Sequence, residues 1–543
     1  MYPNTIDDRK TGTTPRRPVQ RSSRSRRHGI RLTAALICLC CASTKTGVAA
    51  ANSDRPFSIR VVDAETGRGV PLVELRTTNQ IRFVTDSNGF AAIDEPDLLE
   101  TRCFFTVSSH GYEYPKDGFG FRGKAVDLKP GGEVVFEVAR INIAERLYRV
   151  TGGGIYADSL QLGREPPIEQ PLLNAQVSGQ DSVQTAVYRG RIYWFWGDTS
   201  RPAYPLGHFG TAGAVSDLPA DGGLDPSVGV NLSYFAGDDG FSRPMIELDR
   251  PGLVWIDACM TIDDDQGEER LVCHYARMKD LGTRLEHGLA VFNHESQRFE
   301  TVTEFAKDER LYPQGQAFRV THDGEGDYIY FATAFPMIRV RAHWNDLLDP
   351  TRYEAFTPLP HGAAHPESPV EFARDDQGRI HYDWRPDTSP VTPELEQQWI
   401  QAGRISQDEA RLQTIDVGDG KPIRLHNGSV RWNDYLRRFV MIAVESYGEP
   451  SFLGEVYYSE ADRPEGPWEK AVRIVTHDNY SFYNPNHHRF FDSDGGRLIY
   501  FEGTYSQTFS KARVPTPRYD YNQIMYRLDL DSDRLKPVQK ASP

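Results

Sequence analysis

Residues 181–198 read Asp181-Ser-Val-Gln-Thr-Ala-Val-Tyr188, Arg189-Gly190 and Arg191-Ile-Tyr-Trp-Phe-Trp-Gly-Asp198. Two apolar and aromatic runs around a short turn predict an antiparallel β-hairpin. In such a hairpin the start of the first strand and the end of the second lie at the same edge. We therefore expect Asp181 and Asp198 to face the same side.

Hairpins of this kind recur after residue 150, at intervals of about 60 to 100 residues. The four others are Trp255–Met260 with Arg270–His274, Gln316–Val320 with Asp327–Ala332, His426–Trp432 with Arg438–Glu445, and Asn484–His488 with Leu498–Glu502. Long-period β repeats are typical of propeller blades. The sequence predicts an all-β protein whose residues 150–543 form a five-bladed β-propeller.

The ends of these hairpins carry polar and ionisable residues. The matching pairs are Asp257 with His274, Gln316 with Thr333, His426 with Glu445, and His487 with Glu502. The innermost strands of a propeller converge on its axis, so these ends are expected to ring one funnel. We expect catalysis from Asp181, Asp257, Glu502 and Glu445, and substrate binding by Asp198, Gln316, His426, His487 and Arg341.

Short strands at sandwich-like spacing fill residues 54–145. They include Phe57–Val62, Val70–Leu75, Phe90–Ile93, Phe104–Ser108 and Glu133–Val138. This part resembles transthyretin-like, carboxypeptidase-regulatory β-sandwiches and contains no cluster of catalytic residue types, which favours a spacer or docking role. Only Thr392 to Gln413 has a helical pattern, with Pro393 in the first turn.

Residues 1–51 have the pattern of a signal peptide. A basic stretch from Arg16 to Arg31 precedes the apolar run Leu32–Ala42 and the small residues Val48–Ala51. The run is shorter than the roughly 20 apolar residues that span a bilayer. We expect a secreted or periplasmic protein without a membrane span, exported by either the general or the twin-arginine route.

The charge and cysteine content narrow the choice of partner. The 543-residue chain has a formal net charge of −14, which disfavours binding to nucleic acid. Cys103, Cys259 and Cys273 follow the leader, too few for a four-cysteine zinc site. Cys259 and Cys273 are expected to face each other across the second hairpin, with a disulfide as the weaker expectation.

The chain resembles the five-bladed propeller glycoside hydrolases in the strand-start carboxylates and in Tyr457–Ala461 with Pro464–Trp468. Gly197–Thr199, Tyr483–His487 and Phe501–Tyr505 are similar to a little-studied secreted propeller group that includes D-arabinan-cleaving enzymes. The resemblance implies that Asp181 is the general base and that Asp257 tunes the acid. Where those enzymes carry their glutamate acid, this chain has Gln316, so the acid is expected to be Glu502 or Glu445.

Hydrolysis of a glycosidic bond by two carboxyl groups is the function that this pattern predicts, with a carbohydrate as the partner. Two alternatives stay open: a carbohydrate-binding propeller without catalysis, and a polysaccharide lyase that uses His426, His487 or Arg341. The chemistry requires no cofactor and no metal ligand set is predicted, although a structural calcium ion in the funnel is compatible with the resemblance. The sequence leaves the oligomeric state open.

Overall fold

The computed structural model describes residues 55–324, 326–363 and 371–539, apart from the side chains of residues 205 and 206. These residues form mostly β-sheet, as the sequence predicts, with three short α-helices. The predicted signal peptide lies outside the described residues. Within the described part, no helix combines the length and the apolar character needed to cross a membrane.

The N-terminal part consists of two four-stranded sheets, with orders β4-β1-β8-β6 and β3-β2-β5-β7. Their strands are β1 Phe57–Asp63, β2 Glu74–Thr77, β3 Arg82–Val84, β4 Phe90–Ile93, β5 Arg102–Ser108, β6 Tyr112–Glu113, β7 Gly123–Asp127 and β8 Glu133–Arg140. The predicted strand Val70–Leu75 begins only at Glu74, because Pro71 cannot donate to a ladder and Leu72 has a φ of 60°. Ile59, Phe105 and Phe136 fill the core between the sheets.

The rest of the chain forms five larger sheets, which we number I to V. Sheet I has the order β11-β12-β15-β16, sheet II β17-β18-β19-β20, sheet III β21-β22-β23-β24-β25, sheet IV β27-β26-β31-β30-β29-β28 and sheet V β32-β33-β34-β9, beside a small sheet β10-β13-β14. Their strands are β9 Glu145–Arg149, β10 Gly179–Gln180, β11 Gln184–Tyr188, β12 Arg191–Trp196, β13 Thr199–Arg201, β14 Tyr204–His208, β15 Ala212–Asp217, β16 Ser233–Tyr234, β17 Leu253–Asp263, β18 Glu269–Asp280, β19 Thr283–Asn293, β20 Arg298–Glu304, β21 Gln316–His322, β22 Gly326–Ala332, β23 Pro336–Arg341, β24 Glu354–Thr357, β25 Asp383–Pro386, β26 Thr414–Asp416, β27 Pro422–Ile423, β28 Leu425–Asn433, β29 Arg438–Glu445, β30 Val456–Ala461, β31 Lys470–Val475, β32 Ser481–His487, β33 Leu498–Ser506 and β34 Asn522–Asp529.

One strand of each large sheet contacts the corresponding strand of the next sheet. The order of contact is β11, β17, β21, β28 and β32. The Asn484 side chain, on β32, donates to Ser182 Oγ at 2.7 Å just before β11, which brings the fifth of these strands beside the first. The five strands therefore surround a common interior.

Sheet V is completed by the strand that precedes all the other large sheets. β9 pairs with β34, and Glu145 of β9 forms an ion pair with Arg527 of β34. The predicted domains end at residue 145 and begin at residue 150, because a strand this short shows no repeat. In the structure they join the two ends of the five-sheet array.

The predicted helix is present but shorter than expected. The helices are α1 Ala157–Gln161, α2 Trp344–Leu348 and α3 Pro393–Gln401. Thr392 caps α3 by accepting a hydrogen bond from the Leu395 amide at 3.2 Å. Gly403 adopts a φ of 63° just after α3, which ends the helix before Gln413.

The second hairpin brings Cys259 and Cys273 together as predicted, but without the disulfide. Its register opposes Asp257 to His274 and, after a bulge, Met260 to Val272, which leaves Cys259 beside Cys273. Ala258 at the bulge has a φ of 50°. Cys259 and Cys273 are both buried and free, and a hydrogen bond joins their side chains, so the structure contains no disulfide between them.

Candidate active site

A cavity of about 610 Å³ opens where the five inner strands begin. Every large sheet contributes to its wall. The polar lining includes Asp181, Gln184, Asp198, Asp257, His274, Arg284, Gln316, Thr333, Asn427 and Asn484, and the aromatic lining Trp255 and Tyr312. We call it the central cavity.

Asp181 lies just before β11, on the rim of the central cavity. Tyr483 donates its hydroxyl to Asp181 Oδ2 at 3.1 Å, and Tyr521 donates a second hydrogen bond. Burial and the charge of Asp198 raise the pKa of Asp181 to about 7, against the lowering effect of these donors. Burial and Asp181 itself raise the pKa of both tyrosines, which therefore remain donors at neutral pH.

Asp198 follows β12 and faces the same cavity, as the hairpin geometry predicted. Trp255 of sheet II donates its indole N–H to Asp198 Oδ1 at 2.9 Å. Burial raises the pKa of Asp198, and the indole donor opposes this. Within the described part of the chain no hydrogen bond joins Asp181 to Asp198, although the two carboxyl groups interact through their charges.

Gly197 leaves room for the Asp181 carboxyl group beside the end of β12. Its amide donates to the Asp181 carbonyl at 2.7 Å, which ties the end of β12 to the approach of β11. A Cβ at this position would lie 2.3 Å from Asp181 Oδ1. Only glycine leaves the carboxyl group of Asp181 where it is.

Asp257 supplies the third carboxylate, at the bulge of sheet II. Its Oδ2 accepts from the Gly315 amide at 2.7 Å, and its Oδ1 from the Ala258 amide at 2.9 Å and from Gln184 Nε2 at 3.0 Å. Burial nevertheless raises the pKa of Asp257 to about 6. Gln184 belongs to sheet I, so this side chain fixes the spacing between the first two sheets.

His274, opposite Asp257 in the β17–β18 register, also lines the central cavity. Its Nε2 lies 3.0 Å from His287 Nδ1, and His287 Nε2 lies 2.9 Å from the Ala306 carbonyl. The carbonyl can only accept, so His287 carries its proton on Nε2 and His274 donates from Nε2. Burial lowers the pKa of His274 well below its usual value, which leaves a neutral ring whose Nδ1 can accept a hydrogen bond.

Gln316 lines the cavity as predicted, but its amide has a structural role. Gln316 Nε2 donates to the Val183 carbonyl at 3.0 Å, a contact from sheet III to the segment before β11. Thr333, its predicted partner, lines the same wall. Sheet III therefore presents no carboxylate in the lining of the central cavity.

Glu445 does not lie in the central cavity, contrary to the sequence prediction. It lines a second cavity of about 640 Å³ together with Asp416, Tyr457 and Arg473. The bulge between Leu425 and Gly428 shifts the register by one residue, so that Leu425 rather than the predicted His426 lies opposite Glu445. Burial and the charge of the neighbouring Glu455 raise the pKa of Glu445 to about 7.

Glu502 is also absent from the lining of the central cavity. β33 continues to Ser506, so Glu502 lies in mid-strand, opposite Asn486. Its side chain is fully buried, and His488 Nε2 lies 3.2 Å from its Oε1. Because the apolar run ends at Phe501, the sequence predicted a strand end at Glu502. The strand instead continues to Ser506 through polar residues that are buried.

The three remaining predicted binding residues lie away from the central cavity. His487 is buried deeper along β32, with its Nε2 2.8 Å from Asp492 Oδ1. His426 is exposed beside the lining residue Asn427. Arg341 is exposed at the end of β23, with its guanidinium 5.1 Å from the ring centre of Tyr328.

Sequence reasoning missed the residues that bind the carboxylates: Trp255, Tyr483, Tyr521 and Gln184. Each acts from a different sheet or from the loop before β34, and no spacing along the chain indicates such a contact. It also missed His287, which fixes the tautomer of His274 within sheet II. The position of His274 opposite Asp257 was the one available signal. Among the described residues, no group of three or more histidine, cysteine or carboxylate side chains is arranged to hold a metal ion. The structural calcium ion remains a prediction.

No family model matches the chain, and no curated protein matches it. Among solved structures, similarity is found to an exo-1,5-α-L-arabinanase from a bovine ruminal metagenomic library, with 12% identity, a TM-score of 0.32, and coverage of 67% of this chain and 97% of that one. A putative exo-β-1,3-galactanase from Bifidobacterium bifidum s17 is 11% identical, with a TM-score of 0.34 and coverage of 72% of this chain and 97% of that one. A GH43_1 enzyme from Xanthomonas citri complexed with xylotriose is 12% identical, with a TM-score of 0.29 and coverage of 65% of this chain and 86% of that one. With TM-scores this low, the function has to be inferred from the geometry of the central cavity itself.

Proposed function

We propose that the protein is an exported glycoside hydrolase and that the central cavity is its active site. We take sheets I to V as the five blades of a β-propeller and the two N-terminal sheets as a β-sandwich. The cyclic order of contacts between the inner strands supports the first assignment, and the continuous core between the two N-terminal sheets supports the second. Export is inferred from residues 1–51.

The observation that carries the proposal is the pairing of Asp181 with Asp198. The two carboxyl groups border one cavity, and burial together with the charge of Asp198 raises the pKa of Asp181 to about 7. Two carboxyl groups that repel each other hold one proton between them over a range of pH. Glycosidic hydrolysis requires this state, because one carboxyl group must donate a proton while the other accepts one.

In our proposal Asp181 is the general acid and Asp198 the general base, which reverses the role that the resemblance implies for Asp181. Burial and the charge of Asp198 outweigh the hydrogen bonds from two tyrosines, so the shared proton stays on Asp181 up to a pKa of about 7. Asp198 has a single donor, Trp255, on one oxygen, so its other oxygen is available to accept a proton from the attacking water. Glu502 and Glu445, the acids expected from the sequence, do not border this cavity.

Asp257 and His274 have supporting roles in this mechanism. Both oxygens of Asp257 accept hydrogen bonds from the protein, which suits a fixed charge that tunes the acid better than a proton donor. His274 accepts a sugar hydroxyl through Nδ1. Trp255 and Tyr312 offer aromatic faces of the kind on which a pyranose or furanose ring packs.

The experiment is a screen of the purified protein against plant, algal and mycobacterial polysaccharides, with analysis of the products. A hydrolase releases new reducing ends, a lyase leaves an unsaturated end that absorbs in the near ultraviolet, and a binding protein retains the ligand without products. We expect reducing ends with at least one polymer, and their loss in Asp181→Asn with binding retained. Unsaturated products, or binding alone across the panel, would show the proposal to be wrong.

A further inference from the structure

A third cavity, of about 210 Å³, lies further along the same inner strands. Its wall includes residues that come just after lining residues of the central cavity. Thr185 comes directly after Gln184 on β11, Cys259 two residues after Asp257 on β17, and Ala317 directly after Gln316 on β21. Arg431 of β28 and His487 of β32 complete its polar lining, with Arg319 and Arg489 at the same cavity. We call it the axial cavity.

Arg431 is the one arginine of the axial cavity that forms no ion pair within 4.0 Å in the described ranges. Its Nη1 donates to the Val430 carbonyl at 2.9 Å and its Nη2 to Asn486 Oδ1 at 3.2 Å, and both acceptors are neutral. Burial lowers the pKa of Arg431 to about 10, while the charge of Asp492 acts on it from further away and opposes this. The guanidinium is therefore charged at neutral pH and has no anion in contact with it, which costs free energy for a partly buried cation.

Two polar atoms next to Arg431 also have no partner. Asn486 Nδ2 and His487 Nδ1 are buried without a hydrogen bond. The Asn486 oxygen already accepts from Arg431, which places its amide nitrogen as an unused donor. His487 donates to Asp492 through Nε2, so the Nδ1 of the neutral ring is an acceptor and the Asn486 amide remains the unused donor. Buried donors without acceptors are uncommon in folded proteins.

The other two arginines of the axial cavity already have partners. Arg319 lies 3.5 Å from Asp327, and Arg489 lies 2.8 Å from Asp434. The rest of the wall is largely apolar, with Val187, Phe318 and Ile329 among its members. One unpaired guanidinium in a small and largely apolar space fits a single negative charge with a weak hydration shell.

We propose that Arg431 binds a small monovalent anion of the halide class in the axial cavity, with the Asn486 amide as a further donor. The site is separate from the catalytic residues and does not depend on the proposed glycosidase activity. Its role is structural, because the anion contacts a guanidinium that no carboxylate reaches within 4.0 Å, between the inner strands of sheets III, IV and V.

The test uses the full-length exported protein and bromide as the probe. Melting temperatures are measured in sodium bromide and in sodium gluconate at equal ionic strength. We expect a saturable rise of about 2 °C in bromide, since a ligand that binds only the folded state stabilises it. Arg431→Met should abolish the rise. Arg191→Met, which removes an exposed arginine paired with Asp217, should leave it unchanged.

A second measurement is independent of how the variants fold. Crystals of the wild-type protein soaked in bromide should give an anomalous peak within about 3.5 Å of the Arg431 guanidinium. Equal melting temperatures in the two salts, a bromide response that persists in Arg431→Met, or an axial cavity that holds only water would each overturn the proposal.

Discussion

The carboxyl groups of Asp181 and Asp198 border one cavity from the two ends of a single hairpin, and the charge of Asp198 raises the pKa of Asp181. In the described part of the chain no hydrogen bond joins them, and each accepts from a different aromatic side chain, Tyr483 for Asp181 and Trp255 for Asp198. Gly197 makes this arrangement possible, because any side chain there would collide with Asp181. The relationship has consequences for stability, for pH dependence and for catalysis.

Asp181→Asn should stabilise the protein above neutral pH. The folded-state pKa of about 7 exceeds the ordinary value of 3.8, so the folded form binds a proton more tightly than the unfolded form. Stability therefore falls as the pH rises from about 4 to 7, and a neutral asparagine avoids this loss. We expect a gain of about 4 kcal/mol in the free energy of unfolding at pH 8 and little change at pH 4. Urea denaturation of both proteins at pH 4 and pH 8 measures this change in the free energy of unfolding.

Asp264→Asn is the matched control for this prediction. Asp264 lies in the turn of the second hairpin, where hydrogen bonds from the Glu268 amide and from Arg270 lower its pKa. Its anion is favoured in the folded state, so the substitution should reduce stability at pH 8 rather than raise it. If both variants changed stability in the same direction, the assigned environment of Asp181 would be wrong.

Gly197→Ala should reduce turnover while the fold is retained. The new methyl group would lie 2.3 Å from Asp181 Oδ1, so the carboxyl group must move away. Displacement of a catalytic group costs about 10- to 100-fold in kcat. Gly210→Ala is the control, because its added Cβ would meet no atom closer than 3.7 Å. Equal kcat values for the two alanine variants would contradict the assigned position of Asp181.

Trp255→Phe should shift the pH dependence of hydrolysis. The indole N–H stabilises the ionised form of Asp198, and its loss raises the pKa of that carboxyl group. If Asp198 is the base, the acidic limb of the kcat/KM profile moves to higher pH, since the base binds its proton more tightly. Phenylalanine retains the aromatic face. An unchanged acidic limb would show that Asp198 is not the base.

The strand Glu145–Arg149 should be indispensable to the five-sheet array. A chain that begins at residue 150 leaves the outer edge of β34 unpaired and removes the partner of Arg527. We expect it to be insoluble or aggregated, whereas the chain from residue 52 is monodisperse by size-exclusion chromatography. A soluble, cooperatively unfolding chain from residue 150 would contradict the role assigned to β9.

The sequence predicted the contacts made within one hairpin and missed those made between sheets. Asp257 opposes His274 as the strand spacing indicated, and Asp181 and Asp198 meet in the same way. Spacing within an antiparallel pair determines which residues are neighbours, so these pairs could be found without a structure.

Glu445 and Glu502 show why the positions of some candidate site residues could not be predicted from the sequence. A β-bulge inserts one residue and changes the side to which the following side chains point, and no residue pattern marked the bulge before Gly428. The sequence predicted that Glu502 ends its strand, because polar residues follow Phe501. Those residues are buried and paired in β33, and burial of a polar strand depends on tertiary contacts.

The most direct test of the central claim compares four proteins on one cleaved substrate: the wild type, Asp181→Asn, Asp198→Asn and Glu445→Gln. Glu445 is the appropriate control, since its pKa is also raised to about 7 while it lines a different cavity. The release of reducing ends should fall by at least about 1000-fold in both aspartate variants and stay within about twofold of wild type in Glu445→Gln. Near-native turnover in Asp181→Asn, together with an inactive Glu445→Gln, would place the chemistry in the second cavity and contradict the account.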